Sequence, residues 1–426
     1  MPATDTIVIV GGGLAGAKAA ESLRAWRFDG RVVLVGAEPT RPYERPPLSK
    51  GYLQGRDSAD DTAVHDAGYY AEHGIELRTA TTVTTIDPRA REVVLEPGGR
   101  LPYDRLLLAT GATPRRLDVP GADLANVFSL RTVADADAIR RAARPGSRAL
   151  VVGAGWLGGE VTASLRLNGV DVVMVDRGAV PYQRTVGTAI GQVYRDLHAE
   201  HGVEVRSEVA VAAFTGAGAI TGAQLSDGTR VSCNLAVVGV GVTPAIGLAE
   251  AAGITTDNGI VVDQFLQTSA PHVFAAGDVA NSYHPTLHRV LRLEHWWAAL
   301  TQGPVAAANM LGKKIAYDWI PYFGSKQYDF EIEYTGHAPT WDDIVIRGDP
   351  ASRRFIAFYL CDGRVAAGMN AGVWGVSPHI RRLVAGRRRV DRQQLADPDV
   401  ALGDLSAHAQ PAATRPAQPT NKENAS

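Results

Sequence analysis

Twice in this 426-residue chain a short apolar strand runs into Gly-x-Gly-x-x-Gly and then into a helix, and that repeat limits the fold more than any other feature. The first copy follows Ile7-Val8-Ile9-Val10 and reads Gly11-Gly12-Gly13-Leu14-Ala15-Gly16, with a helix expected from Ala17 to Arg27. In such a fingerprint Gly11 permits the tight turn, Gly13 lets a pyrophosphate approach the backbone, and Gly16 lets helix and strand pack closely. The helix N-terminus offers free N–H groups and the positive end of its dipole to the phosphates. A strand from Arg31 to Val35 then leads to Glu38, where an acid would bind a ribose hydroxyl. The second copy follows Ala149-Leu150-Val151-Val152 and reads Gly153-Ala154-Gly155-Trp156-Leu157-Gly158. Its helix, Gly159 to Leu167, stops at Asn168-Gly169, and its second strand, Val172 to Val175, ends in Asp176.

Two complete fingerprints imply two dinucleotides, one lodged permanently and one exchanging. That pattern argues for a two-dinucleotide flavoprotein fold in which electrons pass from nicotinamide to flavin. Asp176 bears on the choice of coenzyme, because a carboxylate there accepts hydrogen bonds from a 2′-hydroxyl and repels a 2′-phosphate. Arg177 beside it is able to pair with a phosphate if turned inward, and NADH is the expected donor.

Composition removes several other classes. A formal net charge of −2 exerts no global pull toward nucleic acid or membrane. No apolar run is long enough to span a bilayer. The chain enters a strand almost at once, so no signal peptide and a cytoplasmic location are expected. The only two cysteines, Cys233 and Cys361, form no CxxC, which argues against dithiol relay and against a protein-bound iron–sulfur cluster.

Between the fingerprints lies Arg41-Pro42-Tyr43-Glu44-Arg45-Pro46-Pro47-Leu48-Ser49-Lys50, an extended proline-rich segment able to hold Arg45 and Lys50 against something anionic. It resembles the flavin-binding loop of the oxygenase-coupled, NADH-dependent ferredoxin reductases, a family related to putidaredoxin reductase, rubredoxin reductase and apoptosis-inducing factor. The resemblance runs from Thr6 to about Gly403. It implies an α/β, glutathione-reductase-like fold with two dinucleotide-binding domains and a small α/β C-terminal domain. The implied boundaries are residues 1–112 and 245–316 for FAD, 113–244 for NAD, 317–404 for the C-terminal domain and 405–426 for a disordered tail.

The resemblance also assigns roles. Lys50 would lie beside the isoalloxazine ring, Glu160 near the nicotinamide, and Arg131 against the flavin. Ala109-Thr110-Gly111 would mark the return of the first flavin unit, Gly277-Asp278 would deliver an aspartate to the ribityl chain, and Glu294-His295-Trp296 would approach the ring. Leu14, Ala15, Val83, Leu157, Arg184 and Gly241 complete the cofactor-binding positions it implies, with Lys50, Glu160 and Glu294 as the groups acting in the reaction. The activity it implies is FAD-dependent transfer from NADH to a small acidic ferredoxin feeding an oxygenase, by a monomer or homodimer. The alternatives are a rubredoxin or quinone reductase, or an NADH-responsive redox protein like apoptosis-inducing factor. His379 to Arg392, with Arg381, Arg382, Arg387, Arg388, Arg389 and Arg392, is either a solvated helix face or a docking patch for the acidic partner. The chain departs from the family at Gly324 and Lys326, where an aromatic residue and an aspartate are usual, so a more open flavin edge is expected.

Overall fold

A computed structural model describes residues 5–407. The chain divides between Ile332 and Glu333 into two compact units.

The first unit is built on two five-stranded parallel sheets of the same plan. In the first, Thr6–Val10 is central, with Arg31–Val35 and Ile75–Arg78 on one side and Arg105–Leu108 and Val273–Ala275 on the other. In the second, Arg148–Val152 is central, with Asp171–Val175 and Glu204–Arg206 on one side and Leu235–Val238 and Val127–Phe128 on the other. Each fingerprint strand therefore sends the chain to one neighbour while the other arrives later in sequence. That is a topological switch point, where a crevice opens beyond the strand ends. The strands read as apolar runs because both faces are covered. Ala149 and Val151 enter one core cluster with Val172, Met174, Leu235 and Val237, while Leu150 and Val152 enter another with Val173, Val175, Ala236 and Val238.

The two sheets communicate through two short strands, Ala112–Pro114 leaving the first and Val242–Pro244 returning, paired antiparallel with Thr113 opposite Thr243. Three-stranded antiparallel sheets decorate each half, at 82–102 and 211–232. The fingerprint helix Leu14–Ala25 lies against the helix Trp296–Met310 at very short range: a Cβ on Gly303 would sit 2.4 Å from the Ala15 carbonyl oxygen.

Both fingerprint helices begin earlier than their sequences suggest, at Leu14 and Trp156 rather than Ala17 and Gly159. The extended N-caps are Gly13 and Gly155, so the third glycine of each motif lies inside the helix, where its contact with the preceding turn outweighs its poor propensity. An 18-residue helix, Gln183–Glu200, was not anticipated. Its buried Val186, Ile190, Tyr194 and Leu197 have helical spacing, but Pro181 and a left-handed Gly187 break the run at its start.

The second unit contains an antiparallel meander, Asp343–Asp349, Arg354–Cys361 and Arg364–Ala371. The helix Ser377–Gly386 packs on its last strand, so closely that a Cβ on Gly368 would fall 2.7 Å from Ile380 Cγ2. Residues 405–407 of the expected tail are ordered instead, in the helix Leu402–Ala407. Ser406 is fully buried and engages Arg382 Nε and His379 Nδ1 at 3.3 and 3.2 Å, which ties this turn down. The remainder of that predicted tail lies outside the described residues. No helix among the described residues is long and apolar enough to cross a membrane.

Candidate functional site

The two glycine loops have matching stereochemistry. Gly11 and Gly153 have φ of +126° and +100°, and a Cβ on either would strike the carbonyl oxygen of the adjoining strand's end, Ala109 at 2.1 Å or Gly239 at 2.4 Å. A Cβ on Gly16 or Gly158 would lie 2.1 or 1.8 Å from the carbonyl oxygen of the first glycine of its own motif. At Gly13 and Gly155 it would meet nothing within 4 Å. Only the middle glycine of each motif thus faces open space, at the amino end of a helix whose first N–H groups lack intrahelical partners.

The acids at the ends of the second strands are held differently. Glu38 accepts from the Tyr43 hydroxyl at 2.5 Å and pairs with Arg45 at 3.2 Å. Arg45 also donates to the carbonyl of Arg131. Asp176 instead accepts two backbone N–H groups, Ala154 at 2.8 Å and Gly178 at 2.7 Å. Each of its oxygens keeps a free lone pair for a ribose hydroxyl. Arg177 and Arg184 are exposed.

Arg131 and Asp278, 147 residues apart, form an ion pair at 2.6 Å. The Arg131 Nε is buried with no partner, and a Cβ on Gly111 would lie 3.4 Å from its guanidinium. Ala15 faces Gly277, whose φ is +80°. Thr110 Oγ1 donates to the Ala245 carbonyl, and Gly241 uses a φ of +102° as the chain turns toward its return strand. Val83 and Ala109 are buried in the first core, while Glu294 is exposed and pairs with Arg292 at 2.6 Å. An orphaned guanidinium N–H and two open glycine cradles are what dinucleotide phosphates require, so these residues fit two dinucleotides.

The most concentrated chemistry joins the proline-rich loop to the second fingerprint helix. Glu160, 8% exposed, takes Lys50 Nζ at 2.7 Å and the Ser49 hydroxyl at 2.6 Å on Oε2. The Ser325 hydroxyl donates to its Oε1 at 2.8 Å. Ser325 belongs to the strand Tyr322–Gln327, whose alternate residues Phe323, Ser325 and Gln327 share one face. Gln327 Nε2 donates to the Tyr182 hydroxyl at 2.7 Å, and Phe323 lies between His295, stacked at 4.7 Å, and Trp156 at 5.0 Å. Burial pushes the Tyr182 phenol well above its ordinary range and the His295 imidazolium down to about 4, so both are neutral near pH 7. Gly324 and Lys326 occupy the opposite, exposed side of that strand.

Sequence reasoning placed Lys50 and Glu160 near one centre but missed Ser49, Tyr182, Ser325 and Gln327 as its supports. Hydroxyls and an amide scattered over 49–327 carry no motif. The period-2 pattern of Phe323, Ser325 and Gln327 was the one available signal.

Residues 5–303 match the pyridine nucleotide-disulphide oxidoreductase family and residues 322–406 the reductase C-terminal family. The chain is 40% identical over 399 residues to the ferredoxin–NAD(+) reductase component of the anthranilate 1,2-dioxygenase system of Burkholderia cepacia, covering 93% of this chain and 98% of that protein. It is 36% identical to putidaredoxin reductase of Pseudomonas putida, over 96% of this chain and 98% of the other. Among solved structures it resembles the covalent putidaredoxin reductase–putidaredoxin complex, with a TM-score of 0.91 at 36% identity, covering 96% of this chain and 99% of the other.

Proposed function

This chain belongs to the pyridine nucleotide-disulphide oxidoreductase family, and from that premise we propose that it is an FAD-dependent NADH:ferredoxin oxidoreductase whose ferredoxin serves an oxygenase. The observation that carries the reading is the Lys50–Glu160 ion pair linking the first unit's proline-rich loop to its second glycine helix, in a chain without a paired dithiol.

We assign the FAD domain to residues 1–112 and 245–316, the NAD domain to 113–244 and the C-terminal domain to 317–404. Bound FAD would supply the chemistry that converts a two-electron hydride donor into single-electron output. The loop Gly11–Gly16 and Arg131 hold its phosphates, with Glu38 and Arg45 on the ribose side and Asp278 positioned by Arg131. Gly153–Gly158 and Asp176 receive NADH. Lys50 supplies a fixed positive charge, and Glu160 keeps that ammonium from swinging into solvent. No side chain needs to act as a nucleophile; the work is positioning and electrostatics. We place the protein in the cytoplasm.

The direct test is NADH-driven reduction of a [2Fe–2S] ferredoxin, read through cytochrome c. Turnover with ferricyanide but with none of a panel of ferredoxins would overturn the reading. Six arginines at 381–392 give the acidic partner an electrostatic target, although Arg389 pairs with Asp362 and Arg392 with Asp343. Ferredoxin reduction is expected to slow several-fold between low and about 0.5 M salt, where the Debye length falls below roughly 5 Å, while ferricyanide reduction stays flat. A flat response with ferredoxin removes the docking role.

Gly324 and Lys326 bear on coupling. A Cβ on Gly324 meets only the Ile332 carbonyl oxygen, at 3.3 Å, so a side chain there needs that carbonyl to give by a few tenths of an ångström. Lys326 is 61% exposed and only 3.9 Å from Glu331. Gly324→Trp with Lys326→Asp adds a cover of roughly 150–250 Å² and reverses one charge. Ferredoxin-dependent turnover is expected to rise and NADH-driven peroxide release to fall, each about two- to fivefold. No movement in either means the departure is neutral.

A further inference from the structure

We infer that Ser325 is a positioning residue for the hydride-transfer site: its hydroxyl fixes the carboxylate plane of Glu160, so that Oε2 is presented to Lys50. This inference rests on the reading of Lys50 and Glu160 as the charges beside the reacting rings.

The geometry divides the glutamate's two oxygens between two segments. Oε2 takes both donors from the proline-rich loop, Ser49 Oγ and Lys50 Nζ. Among the described residues, Oε1 takes Ser325 Oγ alone. With donors on one oxygen only, the carboxylate is free to pivot about its last torsion, which is broad and roughly two-fold. A donor on the second oxygen removes that freedom.

The donor is itself buried. Ser325 is 4% exposed, and Gln327, 1% exposed, lies two residues along on the same strand face with Nε2 3.5 Å from Ser325 Oγ. The same Nε2 donates to Tyr182 OH, and that hydroxyl occupies the space beside Gly159, where a Cβ would lie 1.7 Å from it. Gly159 directly precedes Glu160. One strand face therefore locates the glutamate twice, its backbone through Gln327, Tyr182 and Gly159, and its head through Ser325. One turn along the same helix, Ser164 donates to the Ser49 carbonyl at 2.7 Å and accepts from Gln54 Nε2 at 2.8 Å. The proline-rich loop is thus bolted to the helix that carries the glutamate. A serine that merely satisfied its own hydroxyl in a strand would serve as well with a backbone carbonyl; this one spends its proton on the one carboxylate that holds Lys50.

The test uses the holoenzyme and two readouts: the rate of bound-flavin bleaching by excess NADH in stopped flow, and the flavin midpoint potential. Ser325→Ala is expected to slow bleaching about tenfold and to shift the potential, and Ser325→Thr, which keeps the hydroxyl, is expected to restore both. In a Glu160→Gln background, Ser325→Ala is expected to change neither, because its effect runs through the glutamate. The same loss with and without Glu160→Gln, or an unchanged rate and potential in Ser325→Ala, overturns the inference while leaving the function intact. A silent Glu160→Gln overturns the reading of Glu160 and the inference together. If Ser325→Ala fails to fold, Ser325→Cys against Ser325→Thr makes the same comparison, since a thiol keeps the volume but donates weakly.

Discussion

Gly158→Ala is expected to retain its flavin through purification and to raise the KM for NADH about 100-fold, whereas Gly16→Ala is expected to lose the flavin itself. The two substitutions are stereochemical twins. The new methyl would lie 1.8 Å from the Gly153 carbonyl oxygen in one case and 2.1 Å from the Gly11 carbonyl oxygen in the other. Each carbonyl must retreat by about 1 Å or more, and overpacking of this kind costs roughly 1–3 kcal/mol, occasionally more. The movement is transmitted within the loop to Gly13 or Gly155, the residue meant to meet a pyrophosphate. Because the two loops lie on separate sheets, each lesion is expected to reach one nucleotide only. Absorbance of the purified protein and its NADH dependence read the two outcomes independently. Gly155→Ala is the control: its Cβ meets nothing within 4 Å, so folding should hold while NADH binding weakens. If Gly158→Ala sheds the flavin and Gly16→Ala keeps it, the assignment of the two sites is reversed.

That symmetry was legible because it is local. Strand, turn and helix adjoin in sequence, and each glycine's task follows from covalent geometry within six residues. The apolar runs at 7–10, 32–35, 149–152 and 172–175 were visible for the same reason, since the part of a parallel strand covered on both faces must be apolar. Helix starts were displaced by three residues because glycine looks like a breaker wherever it stands. Gly16 and Gly158 lie inside helices because their close approach to Gly11 and Gly153 overrides propensity.

The reach of the site beyond those loops was less visible. Arg131 and Asp278 had each been assigned to the flavin, yet nothing in their separation of 147 residues signalled that they pair with one another. The same holds for Glu160 and Ser325, 165 residues apart. A hydroxyl is among the commonest side-chain groups, and only the fold decides that this one faces a buried carboxylate. Charge patterning was informative about position but not about pairing. Six arginines at 381–392 were visible as a basic cluster, but not that Arg389, Arg392 and Arg382 spend donors on Asp362, Asp343 and Ser406.

NADH is expected to be preferred over NADPH by roughly 30- to 1,000-fold in kcat/KM, about 2–4 kcal/mol. The cause is the way Asp176 is held. Its Oδ2 takes the Ala154 N–H and its Oδ1 the Gly178 N–H, so the carboxylate has little freedom to turn away from an incoming phosphate. The lone pairs left over accept ribose hydroxyls and have nothing to offer an anion. Arg177 adjoins it in sequence but is exposed, and pairing with a 2′-phosphate would require its side chain to turn inward. Asp176→Ala removes the repulsion and frees the Ala154 and Gly178 N–H groups, which are donors suited to a phosphate. The preference in that variant is expected to shrink to within about tenfold, mainly through a better KM for NADPH and a poorer one for NADH. Equal efficiencies in the unaltered protein would mean that Arg177 does reach the phosphate. In that event Arg177→Ala should create the preference that Asp176 alone does not.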